Sequence, residues 1–160
     1  MIILLTLIFL IIDFVSKFII SSIFSVGETV PVIKNFFYIT YVRNTGAAWS
    51  ILSDKTYVVS IVSGLIILVL IWYIWKNNSE NKLEKLAYSL ILGGAIGNFV
   101  DRIAYGYVID FFDFYIFGYD YPIFNLADSF IVIGIIMLII VTWRKDRNEN
   151  RSRNWWNKIR

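Results

Sequence analysis

Tyr57 to Trp75 reads YVVSIVSGLIILVLIWYIW, a run without a single charge. An α-helix rises 1.5 Å per residue, so about 20 apolar residues span the roughly 30 Å hydrocarbon core of a bilayer. Three other stretches approach that length. Ile2 to Phe24 is interrupted by Asp13 and Lys17; Leu86 to Val100 stops at Asp101-Arg102; Ser129 to Trp143 follows directly on Asp128. With 58% hydrophobic and only 17% charged residues, there is too little charge to coat a soluble globule of this size. The expectation is a mainly α integral membrane chain with four transmembrane helices, over about 2–24, 57–75, 86–104 and 126–143. Residues 1–143 form a single membrane-embedded domain and 144–160 a basic tail. The first stretch lacks a basic leader and a small-residue cleavage site, so it is read as a retained helix and not a secretory signal.

Orientation follows from lysine and arginine. The 76–85 loop holds Lys76, Lys82 and Lys85, and the tail holds Arg144, Lys145, Arg147, Arg151, Arg153, Lys158 and Arg160. The remaining connections carry Lys34, Arg43 and Lys55, with Arg102 at a helix end. Both termini are therefore expected in the cytoplasm, with residues 25–56 and 103–127 facing outward. The tail reads as an anchor to anionic membrane lipid, assisted by Trp155 and Trp156 at the interface. No recognition module accompanies the net charge of +3, so no nucleic-acid partner is expected.

The outer segments have their own character. Residues 29–43 (TVPVIKNFFYITYVR) are rich in β-branched and aromatic residues, the composition of a short strand or hairpin. Residues 103–124 are dense in Tyr and Phe, which suits the headgroup zone or a flap over a site. The fold class is thus four helices with a small extracytoplasmic β element and an aromatic-rich segment.

The chain contains no His and no Cys, which excludes Ser-His and Cys-His catalysis, imidazole zinc sites and disulfides. Neither metal nor cofactor is expected. Few other ways to do chemistry remain, and aspartate is the residue to follow, because a carboxylate near hydrocarbon costs at least about 2.5–3.5 kcal/mol unless it has a partner, water or a function. Asp13 and Lys17, four residues apart, can pair on one helix face. In GGAIGNFVDR, Gly93 and Gly97 allow close helix approach, while Asn98, Asp101 and Arg102 share a face. An arginine there has the planar fork to grip a substrate carbonyl. Asn125 suits a helix N-cap, and Asp128 in the first turn suits the helix dipole.

Given the topology, Asp101, Asp110 and Asp128 all fall near the outer surface. Two close carboxylates share one proton. The ionised member can then activate water while the protonated member polarises a carbonyl, which suffices for amide hydrolysis. The residues alone leave Asp101, Asp110 and Asp113 open as partners of Asp128. A small transporter or proton-coupled carrier is the alternative, because intramembrane acids also mark proton relays.

DFVSK (13–17), NTGAAW (44–49), GGAIGNFVDR (93–102), VIDFFDF (108–114) and FNLADS (124–129) resemble, in order and spacing, the motifs of the lipoprotein signal peptidases. The resemblance implies an intramembrane aspartyl endopeptidase of the bacterial cytoplasmic membrane. Such an enzyme cuts diacylglyceryl-modified prolipoproteins just before the lipidated cysteine and is expected to work as a monomer. It implies Asp110 and Asp128 as the catalytic pair. It also assigns supporting or substrate-binding roles to Asp13, Lys17, Asn44, Gly46, Asn98, Asp101, Arg102, Asn125 and Ala127, and expects a sheet-like cradle after the first helix and a mobile segment before the fourth.

Overall fold

The computed structural model describes residues 1–46 and 55–156. Its elements run α1 (Ile2–Ile23), β1 (Thr29–Ile33), β2 (Phe37–Asn44), α2 (Thr56–Asn77), α3 (Lys82–Tyr105), β3 (Val108–Ile116), β4 (Tyr119–Asp120) and α4 (Leu126–Trp156). Residues 47–49 of the NTGAAW motif, with Lys158 and Arg160, lie outside the described residues, as do the side chains of Arg151, Arg153, Trp155 and Trp156. The fourth helix does not end at residue 143. It continues through the arginine-rich stretch to Trp156, because arginine and lysine are good helix formers.

Three helical stretches, Ile2–Ile23, Thr56–Asn77 and Leu126–Asn148, are long and apolar enough to cross a membrane. They display Ile3, Leu4, Leu65, Ile66, Leu68 and Ile139 on the outside, an inversion of the soluble pattern that suits a hydrocarbon solvent. Together with the small sheet, this makes the chain a mainly helical membrane protein. α3 differs from the other three. It packs against α1, α2 and α4 and buries small and polar residues: Ala87, Ser89, Gly93, Gly94, Gly97, Asn98 and Asp101. A Cβ added at Gly93 would sit 2.7 Å from Phe9 Cβ, and one at Gly94 would collide with the Ala127 carbonyl. These glycines let α1 and α4 close on α3 from two sides. Asn81 starts α3 by accepting the Leu83 N–H at 2.9 Å, and Gly106, at φ 77°, stops it in the left-handed conformation.

The expected hairpin over 29–43 is present as β1 and β2, but it is half of a larger object. The aromatic segment after α3 is largely strand, and the antiparallel sheet has the order β1-β2-β3-β4. Aromatic and β-branched residues favour strands, and the partner of β3 lies more than sixty residues earlier, out of reach of any local pattern. Phe37 stacks on Phe114 at 4.5 Å and Phe114 on Phe124 at 5.8 Å. Tyr41, Ile109 and Phe111 bury against Ile20, fixing the sheet to the end of α1.

One irregularity in this sheet matters for the site. The β2–β3 register slips between Ile39 and Val42. Opposite, the N–H groups of Phe111 and Phe112 both donate to the Phe124 carbonyl, at 3.0 and 2.7 Å. Such a bulge resets the alternation of side chains. As a result Asp110 and Asp113, three residues apart, line one cavity. The same bonds tie Phe124 to β3 and deliver the start of α4 beside Asp110.

Candidate active site

The acids meet where β3, α3 and α4 join. Asp110 and Asp128 line a cavity of about 1150 Å³ whose walls also include Asn44, Asn98, Arg102, Asp113 and Phe124. Asp110 is buried. Its Oδ2 accepts from Asn44 Nδ2 at 2.9 Å and its Oδ1 from Asn125 Nδ2 at 2.6 Å. Burial, and then the negative charge of Asp128, push its pKa up to about 7, against the opposing pull of the two amides and of Lys17. Asp128 is half-buried. Its Oδ1 accepts from Asn98 Nδ2 at 2.7 Å and its Oδ2 from the Asn125 N–H at 3.1 Å.

Asn125 is the hinge of this arrangement. Its Oδ1 accepts the Asp128 N–H at 3.1 Å while Asp128 returns the bond to the Asn125 N–H. This reciprocal cap satisfies two otherwise orphaned donors at the start of α4. The remaining amide hydrogens go to Asp110 and to Asn98 Oδ1, the latter at 3.1 Å. The cap that starts the helix thus also holds both acids.

Deeper in the bundle, Lys17 Nζ reaches Asp13 Oδ2 at 2.7 Å, Asn98 Oδ1 at 2.9 Å and Asp101 Oδ2 at 2.9 Å. Two hydrogen bonds and the ion pair with Asp101 surround the charge, which is how a fully buried ammonium becomes tolerable. The i, i+4 pair is present as expected, with Asp101 as a further partner that spacing does not reveal. Asp13 Oδ1 accepts the Ala127 N–H at 3.1 Å, joining α1 to α4. Ala127 is fully buried, and Gly97 faces Asp13 so closely that a Cβ there would strike its carboxylate.

Arg102 does not use its fork on Asp101. Nη1 binds the Asn98 carbonyl at 3.1 Å and Nη2 the Gly46 carbonyl at 2.9 Å. The Gly46 N–H is held in turn by Asn44 Oδ1 at 2.9 Å. Arg102 thereby clamps the turn after β2 that presents Asn44 to Asp110. All eleven residues singled out in the sequence enter one connected network. Of the three acids left open as partners of Asp128, Asp101 is neutralised by Lys17. Asp113 is held by the Thr40 hydroxyl at 2.5 Å, and Asp110 faces Asp128. Gly94 and Thr40 were not among the candidates. Gly94 was legible as a small residue within the glycine cluster, whereas Thr40 had no signal.

The family model described as Signal peptidase (SPase) II matches residues 5–144. The chain belongs to the signal peptidase II family. Lipoprotein signal peptidases of Staphylococcus aureus strains JH9 and Newman are each 43% identical over 140 residues, covering 88% of this chain and 86% of theirs. A bacterial membrane enzyme solved by the in meso method at 2.3 Å resolution superposes with a TM-score of 0.84 at 42% identity, covering 92% of this chain and 90% of its own. A second, at 1.9 Å resolution, gives 0.79 at 43% identity, covering 88% and 91%. Signal peptidase II enzymes are proteases, and an aspartic type is consistent with a chain that has no His and no Cys.

Proposed function

We propose that the chain removes signal peptides from diacylglyceryl-modified prolipoproteins, with Asp110 and Asp128 as the catalytic pair. The observation that carries this reading is the convergence of the two acids on one cavity, joined through Asn125. In this reading the pair shares one proton at the start of the reaction, with Asp110 as the protonated member. Asp128 takes a proton from a water as that water attacks the scissile carbonyl, and Asp110 donates its hydrogen bond to the carbonyl oxygen, where negative charge develops. Collapse of the tetrahedral species transfers a proton to the leaving amine.

Asn44, Asn98 and Asn125 orient the acids, while Arg102 and Gly46 fix Asn44. Asp13, Lys17, Asp101 and Ala127 brace α1, α3 and α4 behind them. In this reading all four helices cross the membrane as one domain over residues 1–143, with both termini cytoplasmic and the cavity at the outer face. The lysine and arginine distribution supports that orientation. The basic stretch from Arg144 lies against anionic lipid, and a monomer suffices because both acids come from one chain. The carrier reading is not favoured: the family match is to peptidases, and the acids gather at one end of the bundle.

The test is incubation of purified protein with a diacylated and a non-lipidated precursor. Cleavage is expected of the lipidated form only, with Asp110→Asn and Asp128→Asn each slower by about 10²–10⁴-fold while still inserting and folding. Normal turnover by either variant refutes the assignment.

A further inference from the structure

Arg43 is a cation that the proposed mechanism leaves unused. It stands on β2 one residue before Asn44, and strand alternation sends it to the opposite face, together with Tyr41. Its Nε donates to the Tyr41 hydroxyl at 3.3 Å, and its guanidinium lies over the Tyr107 ring, 4.6 Å from the centroid. Arg43 borders the catalytic cavity. Tyr41 and Tyr107, however, line a second one of about 390 Å³, between the sheet and the adjoining ends of α1 and α3. Its walls also include Phe14, Phe18, Ser21 and Tyr105, and the three aromatic residues among these are exposed on the apolar outside of the bundle. Lys17 and Asp101 border it too, but they are paired with each other. Arg43 is exposed, and its two Nη groups have no acceptor among the described residues. A stacked guanidinium with its fork open thus stands at a lipid-facing aromatic cavity without a counter-anion.

We propose that Arg43 binds the phosphodiester of an anionic membrane phospholipid, with one acyl chain of that lipid lying over Phe14 and Phe18. The planar fork of arginine matches two phosphate oxygens. The stack on Tyr107 and the bond to Tyr41 hold the fork in one orientation, so little side-chain freedom is left to lose on binding. Phe14 and Phe18 are four residues apart on α1 and form one aromatic stripe, which leads from the cavity along the helix into hydrocarbon. A ligand complementary to both features is amphipathic, an anion at headgroup height joined to an apolar chain. The diacylglyceryl group of a prolipoprotein has the chains but no charge, and would leave the guanidinium unpaired. An ammonium headgroup would bring a second cation beside Arg43, whereas a glycerol headgroup brings none. Bound there, the lipid bridges α1, β2 and α3. The proposal needs only a membrane-embedded chain and holds whatever substrate the acids serve.

The experiment is native mass spectrometry of the full chain in detergent, titrated with dioleoylphosphatidylglycerol. The wild type is expected to hold one such lipid about tenfold or more tightly than Arg43→Gln does. Lys34→Gln removes an exposed cation from the turn between β1 and β2, away from the cavity, and should bind like the wild type. Ser21→Trp, which fills the cavity and keeps the cation, should weaken the lipid as Arg43→Gln does, so the result does not hang on the folding of one variant. Dioleoylglycerol, with the same chains and no phosphate, should not distinguish wild type from Arg43→Gln. Dioleoylphosphatidylethanolamine should bind the wild type about fivefold less tightly than the anionic lipid, and millimolar inorganic phosphate should not displace that lipid. Equal phosphatidylglycerol affinity in wild type and Arg43→Gln overturns the proposal. An equal loss in Lys34→Gln does so too, because it would mark general attraction to basic surface. Equal binding of the ethanolamine lipid removes the preference for an anionic headgroup, and displacement by inorganic phosphate makes the site one for a free anion; either result refutes the proposal as stated.

Discussion

Replacing Asp110 with Asn should disarm the protein and stabilise it at the same time. In the folded chain this carboxyl holds its proton up to about pH 7, against an ordinary value of 3.8. Between those limits the unfolded chain releases a proton that the folded chain keeps. The stability this group contributes is therefore fully present below pH 3.8 and is lost as pH rises through about 7. Above pH 7 the folded state must carry a buried charge facing Asp128, at a cost of about 4 kcal/mol. Asp110→Asn removes that burden, although its amide meets either Asn44 Nδ2 or Asn125 Nδ2 as donor against donor, which returns about 1–2 kcal/mol. Going from pH 5 to pH 8, the wild type should give up about 3 kcal/mol from this group while the variant gives up none of it. For a chain of this length that corresponds to a difference of about 6–12 °C in how far Tm falls. The assay is thermal unfolding in detergent micelles of both proteins across this pH range. Parallel pH profiles, or a variant less stable at pH 8, would refute the claim that burial and Asp128 hold the proton on Asp110.

Cleavage itself should decline above pH 7, with kcat/KM dropping towards tenfold per pH unit as Asp110 ionises, and a profile flat to pH 9 would contradict that role. Lys17→Met should cost about 3–5 kcal/mol, since it leaves Asp13 and Asp101 buried without their cation; chemical denaturation measures it, and a loss below 1 kcal/mol would show the ammonium to be dispensable. Gly94→Ala should cost about 1–3 kcal/mol by forcing α4 away from α3 at the Ala127 carbonyl. It should lower activity as well, because Asn98 would lose its grip on Asp128, so a variant with unchanged Tm and turnover would argue against close packing there.

How much of this was legible in the chain depends on the reach of each signal. The helices were legible because apolar length is a property of a continuous segment, and the Asp13–Lys17 pair because a helix brings residues four apart together. The hairpin over 29–43 showed itself by composition. β3 did not, because VIDFFDFYI alternates poorly across its bulge and finds its partner in β2, far away in sequence. The ion pair of Lys17 with Asp101 and the bond of Arg102 to the Gly46 carbonyl likewise join distant segments. Spacing on α3 put Asn98, Asp101 and Arg102 on one face, and only the packing shows that Lys17 takes that acid. The choice of Asp110 over Asp113 came from resemblance. Its physical ground is the bulge, which turns both acids into the cavity but gives only one of them Asn44 and Asn125 as neighbours.

Because the amide of Asn125 both opens α4 and spans the two acids, formation of the first turn of that helix and assembly of the proposed hydrolytic centre are the same event. If that turn frays, the acids drift out of register together, leaving no half-armed form able to attack bystander peptides. On the proposed assignment, a chain whose fourth helix has not yet begun would have no assembled pair of acids with which to cut.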